Sequence, residues 1–243
     1  MFVQWNALEG DIVHVGLLHE AGEIPYEIGD PHNLQGLALH VNNLNGVIPS
    51  RIFNLSMIKF ISLSSNQLSG SLPADIGTGV PDLQQLLVGD NKLSGTIPSF
   101  ISINGSNKLT RLDITANSFF GFIPTTLCAF TNLQWLNLQW NNLTVDASIP
   151  AKNFLSCLAS LRNLSMISLE GSPLNATLPV FFGNLSTKLE IVDLGNCNMR
   201  GMLSTSGDVY SFEIKATAHS TQLRDISRAP QLMHKASAKI DEV

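Results

Sequence analysis

One pattern recurs along this chain and restricts its fold more than any other property: L-x-x-L-x-L-x-x-N-x-L-x-G-x-I-P. Leu34-Leu37-Leu39-Asn42-Leu44-Gly46-Ile48-Pro49 satisfies every position. Ile58-Ile61-Leu63-Asn66-Leu68-Gly70-Leu72-Pro73 begins 24 residues later. Leu83-Leu86-Val88-Asn91-Leu93-Gly95-Ile97-Pro98 and Leu109-Leu112-Ile114-Asn117-Phe119-Gly121-Ile123-Pro124 continue it. A fifth copy, Leu133-Leu136-Leu138-Asn141-Leu143, gains two residues before Ile149-Pro150. The sixth, Leu164-Ile167-Leu169-Ser172-Leu174-Ala176-Leu178-Pro179, and the seventh, Leu189-Val192-Leu194-Cys197-Met199-Gly201-Leu203, drift from the pattern. Gly22-Glu23-Ile24-Pro25 is the tail of one more, with its strand expected around Val13 and Val15.

A fixed period of this length means a stack of coils, because one coil cannot bury its apolar face alone. The L-x-L pair reads as a short strand with both leucines pointing into the coil. Repeated down the array, such strands make a parallel sheet on the concave face. The recurrent Asn42, Asn66, Asn91, Asn117 and Asn141 can offer their amides to backbone groups of adjacent coils. Ser172 and Cys197 hold that place in the last two copies. Glycine permits close backbone approach and proline stiffens the bend toward the convex side. The convex segments Ser50–Met57, Ala74–Asp82 and Thr125–Asn132 are expected as 3₁₀ or irregular turns. The longer one between Pro150 and Leu164 has room for a turn or two of helix.

The L-x-G-x-I-P ending, together with "IPSRIFNLSMIKFISLSSNQLSGSLP" and "LEIVDLGNCNMRG", resembles the ectodomain repeats of plant extracellular-type leucine-rich-repeat receptor-like kinases. The resemblance covers roughly residues 22–203. It implies an α/β-type repeat solenoid: a right-handed superhelix with a parallel concave sheet, a second strand beside it, and a 3₁₀ or irregular convex side. It also implies a non-catalytic module for signal perception, with a peptide or protein ligand and a co-receptor repeat kinase as partners. A soluble inhibitor or decoy that clamps a secreted protein is the alternative, and a truncated product without function is a third.

The expected organisation is a degraded first repeat over 1–21, a solenoid of about seven repeats over 22–204, and a tail over 205–243 without regular structure. Within the tail, "STSGDVYSFEI" (Ser204–Ile214) resembles the start of a kinase C-lobe helix. The aspartate matching Asp208 braces the catalytic loop in those kinases. Glu213 replaces the glycine of that pattern, and the likeness stops at Lys215. The 243 residues contain no glycine-rich phosphate loop, V-A-I-K-like lysine, H-R-D or D-F-G, so they carry no ATP site and no catalytic base. No cofactor or metal is expected.

Composition narrows the partners. Charged residues make up 14% of the chain and the net charge is −5. That gives no footprint for nucleic acid or anionic lipid. The longest apolar stretches fall well short of the roughly 20 residues that span a bilayer. Met1–Gly10 has no Lys or Arg and is followed by Asp11, which does not read as a secretory leader, so localisation stays open between this stretch and a cell-surface parent family. Six N-x-S/T sequons, at Asn54, Asn104, Asn142, Asn163, Asn175 and Asn184, fit a secreted ancestry. The three cysteines, Cys128, Cys157 and Cys197, match no zinc or redox spacing and are expected as buried thiols.

Residues flanking the inward leucines should project from the concave sheet, where a ligand would lie. They include His40, Val41, Phe60, Ser62, Gln85, Leu87, Arg111, Asp113, Trp135, Asn137, Gln139, Trp140, Met166, Ser168, Glu170 and Asp193. Arg111, Asp113, Trp135, Asn137 and Trp140 form the conspicuous cluster, being rich in the residue types that dominate interface energy. The plainer reading of Trp135 and Trp140 is that they cover the rim of adjacent coils and stabilise the array.

Overall fold

In a computed structural model of the chain, the described residues are 7–8, 12–14, 22–30, 33–74, 76–98, 108–148, 153–178, 185–205 and 208–213. The inward leucine of each repeat sits at the centre of a three-residue strand. Ile12–His14, Gly36–Ala38, Phe60–Ser62, Gln85–Leu87, Arg111–Asp113, Trp135–Asn137, Met166–Ser168 and Ile191–Asp193 pair in parallel, each with the next. Ala7–Leu8 adds an antiparallel strand, completing a nine-stranded sheet. Val13 takes the place of Leu37 in the ladder. The central residues Leu37, Ile61, Leu86, Leu112 and Leu136 are all fully buried. The strands from Gly36–Ala38 onward are short because a left-handed corner follows each one, and the next apolar residue must turn back into the core.

The L-x-G segment builds a second sheet beside the first. Ser69–Ser71, Lys92–Gly95, Ser118–Phe122 and Asn142–Thr144 form four parallel strands. Gly70 and Gly95 lie at φ +84° and +89°, and a Cβ on either would sit 3.1 Å from a side-chain carbon of the preceding coil. Only glycine satisfies both constraints. The convex side carries 3₁₀ turns at Tyr26–Gly29, Ser50–Asn54 and Thr125–Ala129, a short helix at Ile76–Gly79, and the longer Phe154–Cys157 and Leu158–Ser160 pair. Asn153 caps that last helix, accepting from the Ser156 N–H at 3.0 Å. One apolar core runs continuously from Ile24 to Met199.

The asparagines bolt coil to coil. Asn141 Nδ2 donates to Ile114 O of the previous coil at 3.0 Å and to Leu138 O of its own at 3.1 Å. Its Oδ1 accepts the Phe119 N–H at 3.0 Å. Asn66, Asn91 and Asn117 repeat this scheme on Leu39, Leu63 and Val88. Asn42 bonds the carbonyls of Leu39 and His40 in its own coil. Ser172 Oγ donates to Asn141 O at 3.3 Å, and Cys197 Sγ to Leu169 O at 3.0 Å. These substitutes keep the donor half of the scheme.

Two expectations are corrected. Cys128 and Cys157 are joined in a disulfide between adjacent convex segments, with Cα atoms 5.8 Å apart. The 29-residue separation in sequence hides a spacing of one coil in space. Cys197 alone is a buried thiol, and burial pushes its pKa up to about 12. In the tail, Asp208–Glu213 is a strand antiparallel to Arg200–Thr205, which in turn pairs with Thr177–Leu178. A strand therefore stands where the kinase likeness implied a helix. Arg200–Thr205 offers an open ladder edge, and pairing that edge is the local gain. The remainder of the expected tail, 214–243, lies outside the described residues.

Candidate concave binding surface

The ladder register sorts the concave side chains into columns. The first runs Gly36, Phe60, Gln85, Arg111, Trp135, Met166, Ile191. The second runs Ala38, Ser62, Leu87, Asp113, Asn137, Ser168, Asp193. Neighbours in a column are about 4.8 Å apart, so bulky members shade small ones.

Arg111 and Trp135 meet at the middle of the first column, the guanidinium carbon 4.9 Å from the ring centroid. Both side chains are half-buried. Arg111 Nε is buried with no hydrogen-bond partner among the described residues. Beside them in the second column, burial raises the Asp113 carboxyl above the ordinary aspartate range. The Thr115 N–H, the Asn137 side chain and the Arg111 charge oppose that shift. Further along, burial, then the charge and hydrogen bond of Asp193, raise Glu170. Gln139 Oε1 accepts from Ser168 Oγ at 2.9 Å.

The expected cluster is only partly assembled as an accessible surface. Phe60, Gln85, Arg111, Asp113, Trp135, Gln139 and Glu170 are half-buried on the concave side. Asn137 and Met166 are buried, at 6% and 7% exposure, and Ser62 and Ser168 are buried with them. Met166 lies in the ladder between Trp135 and Ile191, and Asn137 is turned to the Asp113 carboxylate and the Gln139 N–H. Those residues support the surface without presenting themselves on it.

Trp140 belongs to a third column that the pattern alone does not reveal. Val41, Ser65, Asp90, Ala116, Trp140 and Asn196 all have φ between 49° and 57°, and Gly171 completes the series at 71°. Each precedes the ladder asparagine or its replacement. Trp140 sits on this rim, 51% exposed, and a Cβ on Gly171 of the next coil would come within 2.7 Å of its ring. Its indole therefore covers the neighbouring coil at the corner, as the rim reading anticipates. Also unanticipated are Phe120 and Phe122, exposed on the second sheet. The signal for them was the alternation in Phe119-Phe120-Gly121-Phe122. Among the described residues, no group of three or more His, Cys, Asp and Glu could hold a metal ion.

This architecture can be set beside known proteins. A profile of the family described as Leucine Rich Repeat matches residues 57–78. The chain is 30% identical over 202 residues to Receptor-like protein 39 of Arabidopsis thaliana, covering 75% of this chain and 22% of that protein. It is 36% identical over 169 residues to Receptor-like protein 35 of the same plant, covering 68% of this chain and 16% of that one. The chain is a plant-type leucine-rich-repeat protein, homologous to receptor-like proteins. It spans under a quarter of the length of these relatives.

Solved structures agree on the solenoid. The Arabidopsis receptor kinase HAESA, in complex with the peptide hormone IDA and the co-receptor SERK1, superposes with a TM-score of 0.66 at 28% identity. That match covers 75% of this repeat protein and 29% of HAESA. The plant peptide hormone receptor RGFR1, in complex with RGF2, gives 0.64 at 29% identity, covering 74% and 31%. A plant ice-binding protein also matches, at 0.57 and 25% identity over 74% of this chain and 62% of its own. The scaffold thus serves more than one purpose, and function has to be argued from the surface. Among the described residues, no helix is long and apolar enough to cross a membrane.

Proposed function

We propose that this chain is the ligand-perceiving, non-catalytic part of a plant cell-surface receptor, binding an extended peptide along the concave sheet. The observation that carries the reading is the Arg111–Trp135 cation–ring pair at the middle of the first concave column. A planar cation fixed on an aromatic ring is pre-organised, so little side-chain entropy is lost when a ligand arrives. Half-buried Gln85 and Gln139 extend the strip with neutral hydrogen-bonding groups, suited to a backbone that passes across several coils. Peptide recognition by the receptors of the same fold, and a co-receptor in one of those complexes, support the same kind of partners here. A secreted or cell-surface setting accords with the Cys128–Cys157 disulfide, since such bonds persist in oxidising compartments.

The experiment is a selection of random extended peptides against the full chain, followed by titration of the winners against Arg111→Ala, Trp135→Ala and the laterally placed Lys92→Ala. Loss of about tenfold or more in affinity for the first two, with Lys92→Ala unchanged, is the expected result for central anchors. Selected peptides that bind all three variants alike would place the ligand elsewhere.

A further inference from the structure

The second sheet carries a groove of about 480 Å³ lined by Asn117, Ser118, Phe120, Trp140, Asn142 and Gly171. We propose that this groove is the seat of an N-linked glycan on Asn142, whose first sugar packs on the rings of Phe120 and Trp140.

Three observations converge. Asn142-Leu143-Thr144 is a sequon, and Asn142 is exposed. The ladder sets Asn142 opposite Phe120 and Thr144 opposite Phe122, so sequon and rings share one face of the sheet. Trp140, two residues before Asn142, is held at φ +55°, and the three rings are 50%, 59% and 51% exposed for Phe120, Phe122 and Trp140. Three adjacent exposed aromatics call for a cover. The next coil stacks against this strand, Val145 N–H donating to Leu174 O at 3.4 Å, and its Gly171 closes one end of the groove.

The other sequons are less well placed. Asn163 Nδ2 already donates to Thr131 O at 3.0 Å, and Asn175 Nδ2 to Pro173 O at 2.9 Å. Asn54 is exposed at the end of the 3₁₀ turn Ser50–Asn54, on the convex side and away from the exposed rings of the second sheet. Asn104 and Asn184 lie outside the described residues.

The chemistry is a glycosyl transfer. The Asn142 amide nitrogen attacks the anomeric carbon of a lipid-diphosphate-linked oligosaccharide. The bond from that carbon to the diphosphate oxygen breaks, the diphosphate leaves with the electron pair, and the amide gives up one proton to the transferase's base. One N–H remains on Asn142. The pyranose ring then presents its C–H face to the indole and phenyl rings, whose negative π-faces favour such contacts. A glycan so seated blocks the lateral face to protein partners and leaves the concave sheet open.

This inference stands apart from the peptide reading, since either can fail without the other. Its test expresses the full chain behind a cleavable secretion signal in a glycosylating eukaryotic cell. Glycoamidase digestion in ¹⁸O-water, read by peptide mass spectrometry, reports occupancy and release rate at Asn142. The expected result is an occupied Asn142 whose glycan leaves the folded protein at least about tenfold more slowly than the denatured one. Phe120→Ala, at a half-exposed position that folding tolerates, should return most of that difference, while Thr144→Ala should remove the glycan altogether. An unmodified Asn142, equal release from folded and denatured protein, or no effect of Phe120→Ala would each overturn the proposal.

Discussion

Replacing Asn141 by alanine tests whether the asparagine ladder holds the stack together. Asn141 is 8% exposed and bridges two coils through three backbone groups. Alanine leaves the buried Phe119 N–H without the Oδ1 it donates to, and the Leu138 carbonyl without its Nδ2 donor. Ile114 O keeps the Asn117 amide at 3.1 Å and is spared. Two orphaned groups at about 1–3 kcal/mol each give an expected loss of about 2–6 kcal/mol. Urea unfolding followed by circular dichroism would read this as a lower midpoint at similar slope. Asn141→Asp sharpens the test. Its carboxylate accepts from Phe119 N–H but meets the carbonyls of Ile114 and Leu138 with no donor, so its folded pKa is raised above the unfolded value. Protonation restores a donor. The variant should therefore be closest to wild type below the unfolded aspartate value near pH 3.9 and lose stability as pH rises from there through the folded value. An Asn141→Ala midpoint indistinguishable from wild type, or an aspartate variant insensitive to pH, would refute the bolting argument.

Removing the disulfide by Cys128→Ala with Cys157→Ala frees a 29-residue loop in the unfolded chain, so unfolding free energy should fall by about 3–4 kcal/mol in denaturant titration. Gly171→Ala adds a Cβ that would lie 2.7 Å from the Trp140 ring at φ +71°. It should cost about 1–2 kcal/mol from backbone strain alone, and Gly171→Ala with Trp140→Ala should recover only the steric part in thermal melts. Burial raises the Cys197 thiol to about 12; it should therefore resist iodoacetamide at pH 8 in the folded protein and react once the chain is unfolded, as followed by intact mass.

How much of this was legible beforehand differs from residue to residue. The leucines at Leu37, Leu63, Leu86 and Leu112 could be assigned to the core without coordinates, because burial there follows from a local alternation that every coil repeats. The close-approach glycines of the L-x-G segment and the ladder asparagines were equally plain, since each meets a need internal to one repeat or between identical repeats. The sequence by itself determined the solenoid, its parallel concave sheet and the strand beside it. Only the tertiary structure decided what happens between unlike coils. It paired Cys128 with Cys157, put Asn137 and Met166 under cover, and turned Trp140 from the concave face to the rim over Gly171. It also opened a groove between Phe120 and Asn142. In each case the outcome depends on which side chain of one coil lies about 4.8 Å from which side chain of the next. That distance is set by stacking register, and residues roughly 25 positions apart along the chain carry no local signal of it.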